Sequence, residues 1–282
     1  MQEIRIKKRH TARSIPDICI KILLFLLLII TLFPFVWMLL TSMKTKGDIL
    51  ANPTHLLPQP FDFSTWVSIW VKVPFLLYFK NSLIFAGCVV VISLTLDSFA
   101  GYAFARLPFR GKNVMFILVL CTMMVPFQVI MTPLFLLITK MGIYNSYLAL
   151  ILPRAADAFG IFMMRQFFLT LPVELEEAGR IDGASEPAIY FRIMFPLCKP
   201  IFMTLGVFHF MGNWNDLLFP MLMTSSEKYR PIQAAIALFS GEYATEVNFV
   251  MTGLLLAAVP TIVAYLFAQK YFVEGITMTG LK

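Results

Sequence analysis

Charged side chains are scarce in this chain, and they divide it into long apolar stretches. A membrane-crossing helix needs roughly 20 mostly apolar residues, and charge inside lipid is costly, so the gaps between charges mark candidate spans. The first gap, between Lys21 and Lys44, holds no charge. The second, between Lys80 and Arg106, is interrupted only by Asp97, and the third, between Lys112 and Lys140, by nothing. A fourth carries Arg154 and Asp157, a fifth carries Asp216, and a sixth closes at Lys270. The pattern predicts an all-α membrane protein of six helices, over about residues 20–43, 79–105, 113–139, 142–168, 199–225 and 247–270.

Composition agrees. Of 282 residues, 59% are hydrophobic and 14% charged, against about 25% charged in an average soluble domain. Too little polar surface remains to coat a water-soluble globule, and the apolar content excludes intrinsic disorder. Four cysteines are too few for a disulfide scaffold, so Cys19, Cys88, Cys121 and Cys198 read as small apolar packing residues. The net charge is +7. With the N-terminus inside, fifteen of the 23 Lys and Arg fall on inner segments, seven on outer segments, and Arg154 within a span. Cytoplasmic connections collect Lys and Arg, so both termini are predicted cytoplasmic, with residues 1–17 a basic tail and 274–282 a short one. Contact with anionic lipid accounts for the basic excess, and no nucleic-acid partner is required. The first apolar segment is longer than a signal-peptide core and lacks a small-x-small cleavage site, which predicts an uncleaved anchor.

Outside the spans, residues 44–78 form an outer loop in which Trp66 and Trp70, four apart on a short helix, either anchor the loop in the headgroup layer or dock a partner. Prolines 34, 126, 133, 153, 220 and 260 fall within spans, where each tends to kink its helix. No internal repeat of the kind built into many secondary carriers is present. The chain has no H-E-x-x-H, G-x-S-x-G or G-x4-G-K-[ST], and its histidines are scattered at 10, 55 and 209, so it is not expected to hydrolyse ATP or act as an enzyme.

The inner loop over residues 170–198 is far longer than two helices need. Val173, Leu175, Ala178 and Ile181 recur at helical spacing among Glu174, Glu176, Glu177, Arg180 and Asp182, predicting a short amphipathic helix that Gly183 ends. A second helix is predicted from Ser185 as N-cap, with Pro187 in its first turn and Pro196 and Pro200 breaking it before the fifth span. Five of the 16 acidic residues lie here: Glu174, Glu176, Glu177, Asp182 and Glu186. Such a protruding helix either docks in a groove on a soluble partner or lies on the lipid surface.

The run "EAGRIDGASEPAIYFRIMFP" resembles the EAA loop of ABC-importer permease subunits, E-A-A-x3-G-x9-I-x-L-P. Glu177, Ala178, Gly183, Ile193 and Pro196 match, whereas Gly179 replaces the second Ala and Phe195 the Leu. With "GNWNDLLFPM" and "YFVEGITMTGLK", the chain is similar to the maltose-type second permease subunit of the carbohydrate-uptake branch. The resemblance implies a type I permease architecture in a bacterial or archaeal plasma membrane and a heterodimeric pore made with a sister permease. It also implies two ATPase subunits that bind ATP and Mg, with no cofactor in this chain, and an extracytoplasmic solute-binding protein. It implies too that Glu177, Ala178, Gly179, Asp182, Gly183, Ile193 and Pro196 form the coupling site: Glu177 for polar contact, Ala178 and Gly179 for close approach, Gly183 for the interhelical angle. The cargo implied is a sugar, oligosaccharide, polyol or glycerol phosphate. A permease for a non-sugar solute and an ion-gradient carrier are the alternatives.

Among the spans, Arg154 and Asp157 are three apart and are expected to share a helix face and pair, either lining the pathway or locking the span to a neighbour. Asn213, Asn215 and Asp216 are expected near the outer end of the fifth span, shaping the pathway or capping it. His209 has no evident partner in the sequence, and Asp97 is expected to pair with a neighbour.

Overall fold

The structure is a computed structural model that describes the backbone of residues 15–242 and 246–279, and the side chains of these except 15–17, 239, 268 and 270–279. The basic tail expected over 1–17 lies almost wholly outside the described residues, as does the last part of the tail expected over 274–282.

Among the described residues every regular element is helical. From the N-terminus, α1 (Ile15–Ser42) is followed by two short helices, α2 (Lys46–Ala51) and α3 (Ser64–Lys72), and then by α4 (Phe75–Arg106). The third apolar stretch forms α5 (Lys112–Thr122) and α6 (Phe127–Lys140). The fourth forms α7 (Tyr147–Ile151), a 3-10 turn at Leu152–Arg154 and α8 (Ala158–Thr170). The long loop holds α9 (Glu174–Ile181), α10 (Glu186–Ile189), a π turn at Tyr190–Met194 and α11 (Phe195–Leu197). Then come α12 (Lys199–Trp214), α13 (Leu218–Met223), α14 (Ile232–Glu242) and α15 (Val247–Thr279). Three helices are long and apolar enough to cross a membrane alone, and three bent pairs bring the count to as many as six.

The bends correct the expectation of continuous spans. The third stretch turns by 96° between α5 and α6. Pro126 cannot donate a helical hydrogen bond and its ring drives Val125 out of the helical region, so an uninterrupted apolar sequence still breaks. The fourth span begins at Tyr147 rather than 142, because Ser146 caps α7 by accepting the Ala149 N–H (3.3 Å), and it bends by 42° before α8. The fifth ends at Trp214 rather than 225, and α13 restarts with Asp216 Oδ1 accepting the Phe219 N–H (3.3 Å). The loop meets the fifth span at a 76° bend at Cys198, between Pro196 and Pro200 as expected. The last helix runs beyond 270 to Thr279, so the short tail expected there is largely helical backbone.

The 32-residue α4 is the central element, packed on α8 and α12, while α15 packs on α1, α3 and α12. At 1.5 Å per residue α4 is about 48 Å long, more than the roughly 30 Å of hydrocarbon, so its end carries Arg106 toward the long loop. One apolar cluster joins α3, α4, α12, α14 and α15 around Ile69, Trp214 and Phe249, and a second joins α4, α6, α7 and α13 around Phe85, Leu150 and Phe219. The third, around Tyr102, Phe168 and Tyr190, fastens the long loop to α4 and α8. Almost the whole of α1 is exposed, an apolar surface suited to lipid or a neighbouring subunit. Trp66 ties the outer loop to α1 by donating to Ser42 Oγ (3.2 Å), and Trp70 sits edge-on to Phe75. Of the cysteines expected to pack, only Cys198 is buried; Cys19, Cys88 and Cys121 are exposed along the helices.

Candidate functional site

The long loop is built as its pattern requires. Three carboxylates, Glu174, Glu176 and Glu177, occupy the first turn of α9, where they complement the positive helix end. At its other end the Ala184 N–H donates to Gly179 O (2.9 Å) and the Gly183 N–H to Arg180 O (3.1 Å), the paired bonds of a Schellman cap. Gly183 takes φ 80°, a left-handed conformation that side chains disfavour. Ser185 flanks the second helix, but its side chain makes no capping bond. Farther on the Phe195 N–H reaches back to Tyr190 O in a π turn, next to Pro196, whose missing donor and ring disturb the regular ladder.

Ile189, Tyr190, Met194 and Cys198 are buried against Tyr102 of α4 and Met164 and Phe168 of α8. The two helices of the loop close on each other at Gly179, where a Cβ would stand 2.9 Å from Ile193 Cδ1 and 3.2 Å from Ile189 Cγ1. Gly179 and Ile193 therefore meet inside the loop, where the close approach expected at Gly179 is made to the second loop helix. Glu177, Ala178, Asp182, Gly183 and Pro196 remain on the exposed surface, beside Ile181, which is 85% exposed.

The buried charge of the loop is Glu176, which the sequence did not single out. Its side chain is 2% exposed; Oε1 lies 3.1 Å from Arg106 Nε and Oε2 3.5 Å from Arg180. Burial pushes the Glu176 carboxyl above its ordinary range, and the two arginines only partly oppose this. Arg180 also donates to Glu186 (2.8 Å), and that hydrogen bond holds the Glu186 carboxyl below its ordinary range.

A second polar group lies within the bundle. Arg154 pairs with Asp216, and its guanidinium stacks over Phe127 (4.1 Å) and Phe219 (4.8 Å). The expected pairing of Arg154 with Asp157 on one helix face does not occur, because the helix breaks between them. Asp157 is extended and caps α8 instead, with Oδ2 accepting the Gly160 N–H (3.2 Å). The Asp157 N–H donates to Asp97 Oδ1 (2.9 Å), and Asp97 Oδ2 lies 3.2 Å from His209 Nε2, so the histidine does have a partner. This fully buried carboxylate fits only because residue 160 is glycine: a Cβ there would stand 2.0 Å from Asp97 Oδ2.

These groups border a cavity of about 540 Å³ lined by Thr122, Met123 and Val125 from the break in the third span, by Arg154 and Asp157 from the break in the fourth, and by His209 and Asn213. Breaks in membrane helices are tolerated where they line such a cavity. Asn213 is 7% exposed, its Nδ2 donates to His209 O (2.7 Å), and its Oδ1 has no partner among the described residues. Of the five pathway candidates, Arg154, Asp157 and Asn213 reach the cavity and Asp216 joins them through Arg154, whereas Asn215 faces α15 and accepts from Thr261 (3.3 Å). A larger hollow, about 700 Å³, surrounds the single turn 108–114 and lies apart from this chemistry.

Residues 97–278 match the family described as "binding-protein-dependent transport system inner membrane component". An arabinooligosaccharides transport system permease protein, AraQ of Bacillus subtilis (strain 168), is 33% identical over 97% of this chain and 99% of its own length. The lactose transport system permease protein LacG of Rhizobium radiobacter is 33% identical over 93% and 96%. A crystal structure of a bacterial ABC transporter involved in the import of the acidic polysaccharide alginate superposes with a TM-score of 0.82 at 25% identity, covering 92% of this chain and 97% of that one. By sequence and by fold, the chain belongs to the family of membrane-spanning components of binding-protein-dependent ABC transporters.

Proposed function

We propose that this protein is a permease subunit of an ATP-driven carbohydrate importer, forming half of a translocation pathway with a sister permease. In this reading the cavity between the broken helices is part of the pathway, and Asn213 Oδ1 accepts a hydrogen bond from a sugar hydroxyl. An extracytoplasmic binding protein delivers the solute, and two ATPase subunits that hold ATP and Mg dock on the 170–198 loop, with both termini on that same inner face. The relatives named above, which carry arabinooligosaccharides and lactose in their names, support a sugar or a related polyol, oligosaccharide or glycerol phosphate.

The observation that carries this reading is the build of the loop. Its inward side is locked to α4 and α8 by buried apolar and charged contacts, while Glu177, Ala178 and Ile181 of α9 and its C-cap Asp182 are exposed. A push on that face is delivered to α8, whose 13 residues span about 20 Å from the loop to the cavity. Glu177→Lys in the assembled transporter is expected to abolish ATP-dependent uptake into vesicles and release the ATPase subunits in a pull-down while the protein still inserts. Wild-type uptake in that variant refutes the docking assignment.

A further inference from the structure

Arg106, the last residue of α4, is 8% exposed and faces the loop. Its Nη2 donates to the carbonyls of Phe168 and Leu171, which end α8, while its Nε lies 3.1 Å from Glu176 on α9. The free carbonyls of a helix end favour a cation, and a planar guanidinium can serve carbonyls and a carboxylate at once. The contacts then continue in a ring: Glu176 to Arg180 at 3.5 Å, Arg180 to Glu186 at 2.8 Å, and Glu186 to the Tyr102 hydroxyl at 3.3 Å. Tyr102 and Arg106 are one helical turn apart on α4, so the ring leaves α4, passes through both loop helices and returns to it.

We propose that Arg106 is a positioning residue for coupling: it fixes the orientation of α9 against the ends of α4 and α8, so that a load on the outward face of α9 moves both helices together. The inference rests on the docking role of the loop proposed above. The physical need is plain, because α9 has eight residues and isolated helices shorter than about 12–15 residues are marginal in water. Apart from its chain ends and the exposed Arg180–Glu186 pair, α9 is held by two buried residues, Gly179 against the second helix and Glu176 against Arg106. Gly179 provides close contact without direction, whereas Arg106, oriented by its bonds to the Phe168 and Leu171 carbonyls, sets where the charge of Glu176 is drawn, through an ion pair that has no hydrogen bond at Nε or Oε1 among the described residues.

The test uses the whole transporter, with sister permease, ATPase subunits and binding protein, in proteoliposomes, with labelled arabinotriose and lactose as probes. Arg106→Gln is expected to lower uptake about tenfold, within the usual range of coupling energies, while ATP hydrolysis per assembled complex stays near wild type. Arg106→Lys, which keeps the charge but loses the planar guanidinium, should fall between the two, and Arg106→Gln with Glu176→Gln should be no worse than Arg106→Gln alone. Amide exchange over 174–181 in the same complexes should quicken in Arg106→Gln. Unchanged exchange overturns the assignment whichever solute is carried. Loss of uptake and hydrolysis in equal proportion also overturns it, as the mark of a merely structural role. Normal uptake in Glu177→Lys would instead sink the docking reading on which the inference rests.

Discussion

Gly101 reports directly on how closely α4 and α8 approach. A Cβ at this position would stand 2.5 Å from Met164 Cβ, 2.9 Å from the Arg165 nitrogen and 3.1 Å from the Met164 carbonyl carbon. Carbon atoms in contact prefer about 3.5–4.0 Å, so Gly101→Ala forces the helices apart by about 1 Å. Two of the three obstructing atoms are backbone, and α8 is held at both ends, by Asp97 at its start and Arg106 at its finish. Overpacking of this kind costs about 1–3 kcal/mol, and backbone obstruction places it at the upper end. Replacing a helical glycine by alanine returns up to about 1 kcal/mol, which leaves a net loss of about 1–2 kcal/mol. Gly87 on the same helix is the control, since nothing lies within 4 Å of its Cβ position and only the favourable helical term applies. The two variants should shift in opposite directions, with Gly101→Ala several degrees below wild type, given about 2–4 °C per kcal/mol for domains of 150–250 residues. The assay is the temperature at which half of the detergent-solubilised protein leaves its monodisperse peak, followed by uptake in vesicles. Equal midpoints for the two variants refute the packing argument.

Three further outcomes are expected. Gly183→Ala meets no steric obstacle, so its cost is that of a left-handed backbone, about 1–2 kcal/mol; it should quicken amide exchange in the loop and reduce uptake, with Gly183→Asn milder. Asp216→Leu leaves Arg154 charged and partly buried and should destabilise by about 3–5 kcal/mol, whereas Arg154→Met combined with Asp216→Leu should recover much of the loss in thermal melts. Because the Arg180 hydrogen bond holds Glu186 below its ordinary range, its contribution is present above the usual carboxylate value of about 4.3 and is lost as pH falls through the lowered one. Exchange over 174–189 should therefore show an added acid-induced opening below about pH 4.3 that Glu186→Gln removes, and an unchanged profile in that variant counts against the contact.

What the sequence determined is what lipid and local geometry dictate. A span must exclude charge whatever it packs against, so six apolar stretches and the loop between the fourth and fifth were legible from the spacing of Lys, Arg, Asp and Glu. Helical periodicity, Gly183 and Pro187 likewise located both loop helices and the turn between them, because a cap and a missing donor act within one turn. The tertiary structure alone decided the rest. Pro126 stands at the break between α5 and α6 whereas Pro34, Pro133 and Pro260 stay within their helices, a difference that the residue type alone does not give. Arg154 passes over Asp157, three residues away, for Asp216, 62 residues away, because the helix breaks between the near pair and packing brings the distant one into contact. His209 finds Asp97 across more than a hundred residues for the same reason, and Glu176, not its neighbour Glu177, is buried because α9 turns that face toward Arg106. Charge scarcity says where a chain can cross lipid; which of the few charges meet inside it is a property of helix packing, and no local pattern encodes it.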